Sequence, residues 1–303
     1  MGLRTRTFAV TLFAGVLIGL GILSGLTGCE SSKQPGVDIS IGEVKSRLEE
    51  AGEEPRRELR YAFEEAWSQD ATMKMTMTTT AMGQTVETPT MSFPCKAKML
   101  EVTPEGVGKF SMKFGEIELS GGQPGMVAAM QPAMAGFDGV DVISTIDALG
   151  HNLGSEVNIP DGTPEELRQT LDSMKDSMAN MEAPFPAEPV GVGAKWDLST
   201  TVTSQGMEID QVATYTLESI EGDVIKIGIV IKQSADAQSF DLPGINAQAS
   251  LEKYSGSGTG SMTIDLRSPI PTSTMTLDAS MTMKVQGQTS SMQMSMEMEL
   301  IPQ

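Results

Sequence analysis

Aromatic residues make up only 5% of the 303-residue chain, which has one His and two Cys. So few imidazoles and thiols exclude His-rich metal centres, zinc ribbons and disulfide scaffolds. Bases are scarce as well: 21 Lys and Arg stand against 40 Asp and Glu, a net charge of −19. The basic footprint that nucleic-acid binding requires is missing, so no nucleic-acid partner is expected. The sequence contains no Gly-x-Ser-x-Gly, Walker loop, dinucleotide fingerprint or His-Glu-x-x-His, and no enzyme, cofactor or metal site is expected from such motifs. What remains is 39% hydrophobic residues, enough for a packed core, and 23 Met.

The one long apolar run lies at the start. Arg4 and Arg6 precede an apolar stretch from Phe8 to Leu23, and Leu26-Thr27-Gly28-Cys29 follows. This segment resembles a bacterial lipoprotein signal peptide ending in its lipobox. The resemblance implies cleavage before Cys29, a diacylglycerol on its thiol and an exported, lipid-anchored protein of the cell envelope. Its partner is then the membrane, reached through the anchor. Acyl chains contribute about 0.8 kcal/mol per buried CH₂, so two or three anchor stably. An uncleaved anchor from Phe8 to Leu26 and a plain secretory signal are the alternatives. Loss of residues 1–28, with their two Arg and no acid, takes the net charge to −21. Such a body is repelled by anionic headgroups, which leaves the anchoring to lipid.

Five segments are expected: a signal peptide (1–28), a tether with a short charged segment (29–57), a first β half (58–160), a helix with a Pro-rich connector (161–188) and a second β half (189–303). Val44, Leu48 and Ala51 could share one side of a short helix within 43–57. Leu59, Tyr61 and Phe63 alternate with Arg60, Ala62 and Glu64, a period of two that predicts a strand. A helix through Leu59, Phe63, Ala66 and Trp67 fits nearly as well. The stretch Met73-Lys-Met-Thr-Met-Thr-Thr-Thr80 is a strand with Met73, Met75 and Met77 on one face. Further strands are expected over 85–91, 93–102, 107–119, 140–148, 153–159, 196–203, 207–219, 224–233, 262–266, 274–285 and 291–301. Residues 120–139, rich in Gly, Pro and Met, read as a loop, and Ser255-Gly-Ser-Gly-Thr-Gly260 as a flexible turn.

One amphipathic helix is expected over about 163–182. Thr163-Pro164-Glu165-Glu166 forms a capping box with Pro at the first helical position. Leu167, Leu171, Met174, Met178 and Met181 make one stripe, and Pro184 and Pro186 end it. A weak internal repeat surrounds this helix. Glu101-Val-Thr-Pro-Glu-Gly-Val107 resembles Glu218-Ser-Ile-Glu-Gly-Asp-Val224, and Ser144-Thr-Ile-Asp147 resembles Met262-Thr-Ile-Asp265, at offsets of 117 and 118. The expected fold is mainly β: one large antiparallel curved sheet, or two related β half-domains, with that helix between the halves.

Methionine is the loudest signal. Met292, Met294, Met296 and Met298 alternate with polar residues, and Met281 and Met283 repeat the pattern. Met fills cores, and a Met-lined face also adapts to varied apolar ligands. Thioether sulfur is soft and suits Cu(I). Strand neighbours on one face are about 6.6–7 Å apart, so a single ladder cannot enclose an ion. The candidate apolar ligand face is Met73, Met75, Met77, Met281, Met283, Met292, Met294, Met296 and Met298. Cys95 alternates with Lys96 and Lys98 and reads as a buried strand residue. His151 sits in a turn with no second His and is not expected to be catalytic.

Leu59-Arg-Tyr-Ala-Phe63, Met73-Lys-Met-Thr-Met77, Pro189-Val-Gly-Val-Gly193 with Trp196, and the terminal Met ladder resemble an uncharacterised class of Met- and Thr-rich β-sheet envelope lipoproteins. A large antiparallel sheet with a helix also resembles, at fold level only, half-barrel carriers of lipids and lipoproteins. The expected function is a membrane-tethered, non-enzymatic protein that binds an apolar ligand such as lipid. A structural or interaction scaffold with a protein partner is the first alternative, and Met-based copper binding the second.

Overall fold

The computed structural model describes residues 39–41, 44–81, 83–161, 163, 168, 185–204, 207–241, 248–285 and 287–303. The helix expected over 163–182 lies outside the described residues apart from isolated positions, as does everything before residue 39.

Alternation of apolar and polar side chains dictates extended chain, and the described residues form one antiparallel sheet of 16 strands. In chain order these are β1 (Ile39–Ile41), β2 (Lys45–Glu50), β3 (Ser68–Ala81), β4 (Gln84–Glu87), β5 (Thr90–Val102), β6 (Gly108–Phe114), β7 (Glu118–Ser120), β8 (Asp141–Ile146) and β9 (Asn152–Asn158). They continue with β10 (Lys195–Ser204), β11 (Met207–Glu221), β12 (Val224–Ala235), β13 (Gln238–Asp241), β14 (Gln248–Asp265), β15 (Thr272–Val285) and β16 (Gln288–Pro302). In space the main path is β1-β10-β11-β12-β14-β15-β16-β3-β5-β6-β8-β9. The C-terminal strand β16 therefore lies beside β3 and joins the two ends of the chain.

The repeat in the sequence is a repeat of register. β3, β5, β6, β8 and β9 form one unit; β10, β11, β12, β14 and β15 form another. Ala97 faces Met112 in the first, and Tyr215 faces Ile229 in the second. Met112 faces Val142, and Ile229 faces Gly260. Val142 faces Val157, and Gly260 faces Met275. Both units carry a bulge at the same place, with Leu100 and Glu218 as the extra, exposed residues. An extra residue bends and twists its strand, so both units curve alike.

The period of two over residues 59–64 predicts a strand. Leu59, Tyr61 and Phe63 are buried and their neighbours exposed, as the period of two requires. Yet they join no ladder. The Tyr61 N–H donates to the Ala148 carbonyl and the next N–H, of Ala62, to the Leu266 carbonyl, both at 2.8 Å. Those acceptors follow β8 and β14, which are six inter-strand steps apart and would be about 29 Å apart in a flat sheet. One segment reaches both only because the sheet curls round it.

Three other expectations are corrected. The charged segment expected as a short helix is β2, paired antiparallel to β10 at the sheet edge. Residues 120–139 are not a loop: α1 (Pro124–Met134) and a 3₁₀ turn (Ala135–Phe137) occupy them. Pro124 starts α1 where its missing N–H costs nothing. Met126, Met130 and Met134 then fall four apart on one side, a period hidden among Gly and Pro. Ser255 to Gly260 is no turn but the middle of β14. A Cβ on Gly258 would lie 2.5 Å from the Thr276 carbonyl, and one on Gly260 2.7 Å from that of Thr274. Glycine is used there for close approach, not for a bend.

Candidate functional site

The nine candidate methionines all lie on one face of the sheet. The register sets Met281 opposite Met292, Met77 opposite Met296 and Met75 opposite Met298. This is the core-facing side: Met77, Met281, Met294 and Met296 are buried, and Met73, Met75, Met283, Met292 and Met298 half-buried. Met130 of α1 is buried in one cluster with Met77, Met294 and Met296, with Met126 and Met134 packed against it, while Met281, Met283 and Met292 belong to a smaller one. Phe137, just beyond, meets Phe93 edge-on with ring centroids 6.4 Å apart. Alpha1 and its turn therefore lie over the β3–β5 part of the Met face. The helix has no side-chain cap and carries Pro132 inside it, so little local structure holds it except this packing.

A buried polar row crosses the same face. Gln211 lies opposite Gln233, and Gln233 opposite Gly256. The Tyr254 hydroxyl donates to Gln233 Oε1, and Gln233 Nε2 donates to Gln211 Oε1, each at 2.8 Å. A Cβ on Gly256 would strike Gln233 Oε1 at 2.6 Å; the glycine makes room for the amide. Burial pushes the Tyr254 hydroxyl up to about 12, so it stays protonated as a donor. The row divides the main apolar cluster from a smaller one formed by Met207, Ile209, Phe240, Leu251, Tyr254 and Met281.

The opposite face carries a trough of about 460 Å³ lined by Thr78, Thr80, Ser255, Ser257, Asp278, Ser280, Gln293 and Ser295, with backbone between them. Ser255 and Ser280 share a hydrogen bond of 3.0 Å, and Thr80 and Thr85 one of 2.9 Å. Sequence reading missed this trough and the glutamine row. The polar phase of β16 was visible, but not that β14 and β3 would flank the β15–β16 pair.

The remaining sequence candidates are dispersed. His151 Nδ1 lies 2.9 Å from Asp147 Oδ2, and Asp147 Oδ1 accepts the backbone N–H groups of Leu149 and His151. Burial alone would raise the Asp147 carboxyl; these hydrogen bonds and the imidazole outweigh it and hold it below the usual carboxylate range. The pair closes a turn, and among the described residues the His151 ring bonds only Asp147. Cys95 is buried on the Met side of β5, where burial, helped by the nearby Asp70 charge, pushes its thiol up to about 11. It is an inert neutral thiol at neutral pH. Among the described residues no three His, Cys, Asp or Glu side chains gather as metal ligands, and no helix is long and apolar enough to cross a membrane. Cys29 and the lipobox residues Leu26, Thr27 and Gly28 lie outside the described residues.

No curated protein matches the chain. Residues 162–271, which run through β10 to β14, match the model of a family of unknown function (DUF6263).

Proposed function

We propose that the chain is an exported, lipid-anchored, non-enzymatic protein of the bacterial cell envelope that binds an apolar ligand such as lipid. Cys29 is the anchor in this reading, and the Met face beneath α1 is the binding surface. The observation that carries it is the gathering of methionines from β3, β15 and β16 on one face, part of it under a helix with weak local anchoring. Unbranched, polarisable side chains on both sides of a seam yield to ligands of varied shape. The resemblance of the first 29 residues to a lipoprotein signal supports the address.

Native mass spectrometry of the full chain isolated from a bacterial envelope, followed by solvent extraction, tests the ligand. A reproducible apolar adduct near one per chain is expected; a clean apo mass after incubation with envelope lipids would overturn it. Metabolic labelling with a radioactive fatty acid tests the anchor: label is expected on the parent chain and lost in Cys29→Ser. A second reading, an interaction scaffold without a small ligand, is favoured by the hydroxyl-lined trough on the opposite face, where a polar partner would find donors and acceptors.

A further inference from the structure

The obstacle to a thioether metal site is that one strand spaces its same-face sulfurs too widely. The register removes it. Met275 of β15 lies opposite Met298 of β16, Met298 opposite Met75 of β3, and Met75 opposite Met91 of β5. Four adjacent strands thus place four methionines in one row. Met296 opposite Met77 adds a parallel pair one step along. Directly opposite side chains have Cβ atoms about 4.5–5.5 Å apart, within the reach of three rotatable bonds per side chain. The outer members of the row stand about 14 Å apart, too far to share an ion, but the two facing pairs Met75–Met298 and Met77–Met296 make a two-by-two cluster of about 5 Å by about 7 Å, whose four sulfurs are able to converge on one point, which no single ladder permits.

We infer that the cluster Met75, Met298, Met77 and Met296 is a thioether site for a soft monovalent ion, Cu(I) by preference. Softness selects the ion: thioethers bind Cu(I) and neglect Mg²⁺ or Ca²⁺, which need oxygen ligands. Access is built in, since Met75 and Met298 are half-buried while Met77 and Met296 are buried. Met130 of α1 belongs to the same buried cluster and is the candidate for a further sulfur from above. The acidic surface, 40 Asp and Glu against 21 Lys and Arg, draws cations toward it. The ion binds and leaves as Cu(I), so no electron transfer is involved. The inference goes beyond the apolar-ligand reading, which needs only methylene and methyl contact.

The two separate experimentally, because Met→Leu keeps apolar volume but removes sulfur. The full chain in detergent is titrated anaerobically with Cu(I) against a chromophoric competing chelator. One ion per chain is expected. Met75→Leu with Met298→Leu weakens competition by about tenfold or more, through lost thioether ligands. Met281→Leu with Met292→Leu, a facing pair farther along the face, changes it by less than about twofold, as a distant site should. Carbon-13-labelled Met methyl resonances, read with Ag(I) as a diamagnetic stand-in, are expected to shift for Met75, Met298, Met77 and Met296 in the unaltered protein, which keeps the test valid if the double variant fails to fold. The inference is overturned if no Cu(I) is taken from the chelator, if the first double variant competes as well as the parent, or if Cys95→Ser alone abolishes binding. A double variant that loses Cu(I) but keeps an apolar adduct supports both readings; one that keeps Cu(I) and loses the adduct rejects this one alone.

Discussion

The two five-strand units have one backbone plan and two different fillings. Each ends its third ladder in the same turn. Asp147 Oδ1 accepts the Leu149 N–H at 2.8 Å, and Asp265 Oδ1 accepts the Arg267 N–H at 3.0 Å. The Gly150 N–H reaches the Asp147 carbonyl, and the Ser268 N–H that of Asp265. Beyond these anchors the side chains diverge. Where the first unit puts Met75 opposite Met91, the second puts Val202 opposite Ile209. Where the first has Val142, the second has Gly260. The lesson is that bulge and turn hold the register, while the core face accepts any apolar filling of suitable volume. Methionine gathers where the units meet at β16.

The comparison breaks first at the bulges. Met99 and Leu217 precede the extra residues in equivalent positions and both are buried. Met99→Ala and Leu217→Ala are each expected to cost about 3 kcal/mol in chemical unfolding, and similar values would mean equivalent packing. Next comes an exchange of fillings. Gly260→Val installs the residue of the first unit, but its Cβ would lie 2.7 Å from the Thr274 carbonyl and 3.2 Å from Met275. A loss of about 2 kcal/mol is expected from overpacking, read as a fall in melting temperature. No loss would mean that β14 and β15 are free to move apart.

The turns give smaller effects. Asp147→Asn keeps an amide oxygen for the two backbone N–H groups but removes the carboxylate charge that faces them and His151, and about 1 kcal/mol is expected. Asp265 is held low chiefly by the hydrogen bond from Arg267, itself well exposed. Solvent screens that pair, and Asp265→Asn is expected to cost under about 1 kcal/mol. Both carboxyls titrate lower in the folded chain than the ordinary value near 4. Their stabilisation is therefore complete above that value and is lost as pH falls through the lower folded one. Thermal unfolding from pH 6 down to 2 should show this loss, with a shallower slope in Asp147→Asn. The smallest effect belongs to the hydroxyl face: Ser255→Ala with Ser280→Ala should stay within about 0.5 kcal/mol.

The sequence by itself determined, over its clearly alternating runs, which residues are extended and which way they face. Alternation in Met73 to Thr80, in Met207 to Leu217 and in Gln288 to Ile301 is local, and a two-residue period needs no partner to be read. It also carried the repeat, because turns that fix register must be spelled in Asp, Gly and Pro. Only the tertiary structure decided which strands are neighbours. That β16 returns to lie beside β3, more than 200 residues away in sequence, leaves no local trace. Neither does the use of Gly258 and Gly260 inside a strand, where the reason is an adjacent carbonyl. The segment around Tyr61 was legible as extended but not as standing outside every ladder, since the N–H groups of Tyr61 and Ala62 end just past β8 and β14. Alpha1 was hidden because its few contacts are with the sheet; Pro and Gly dominate its local signal, and packing overrides them. The gathering of the methionines belongs to the same class. Each ladder was visible alone, and the row across four strands exists only through long-range pairing.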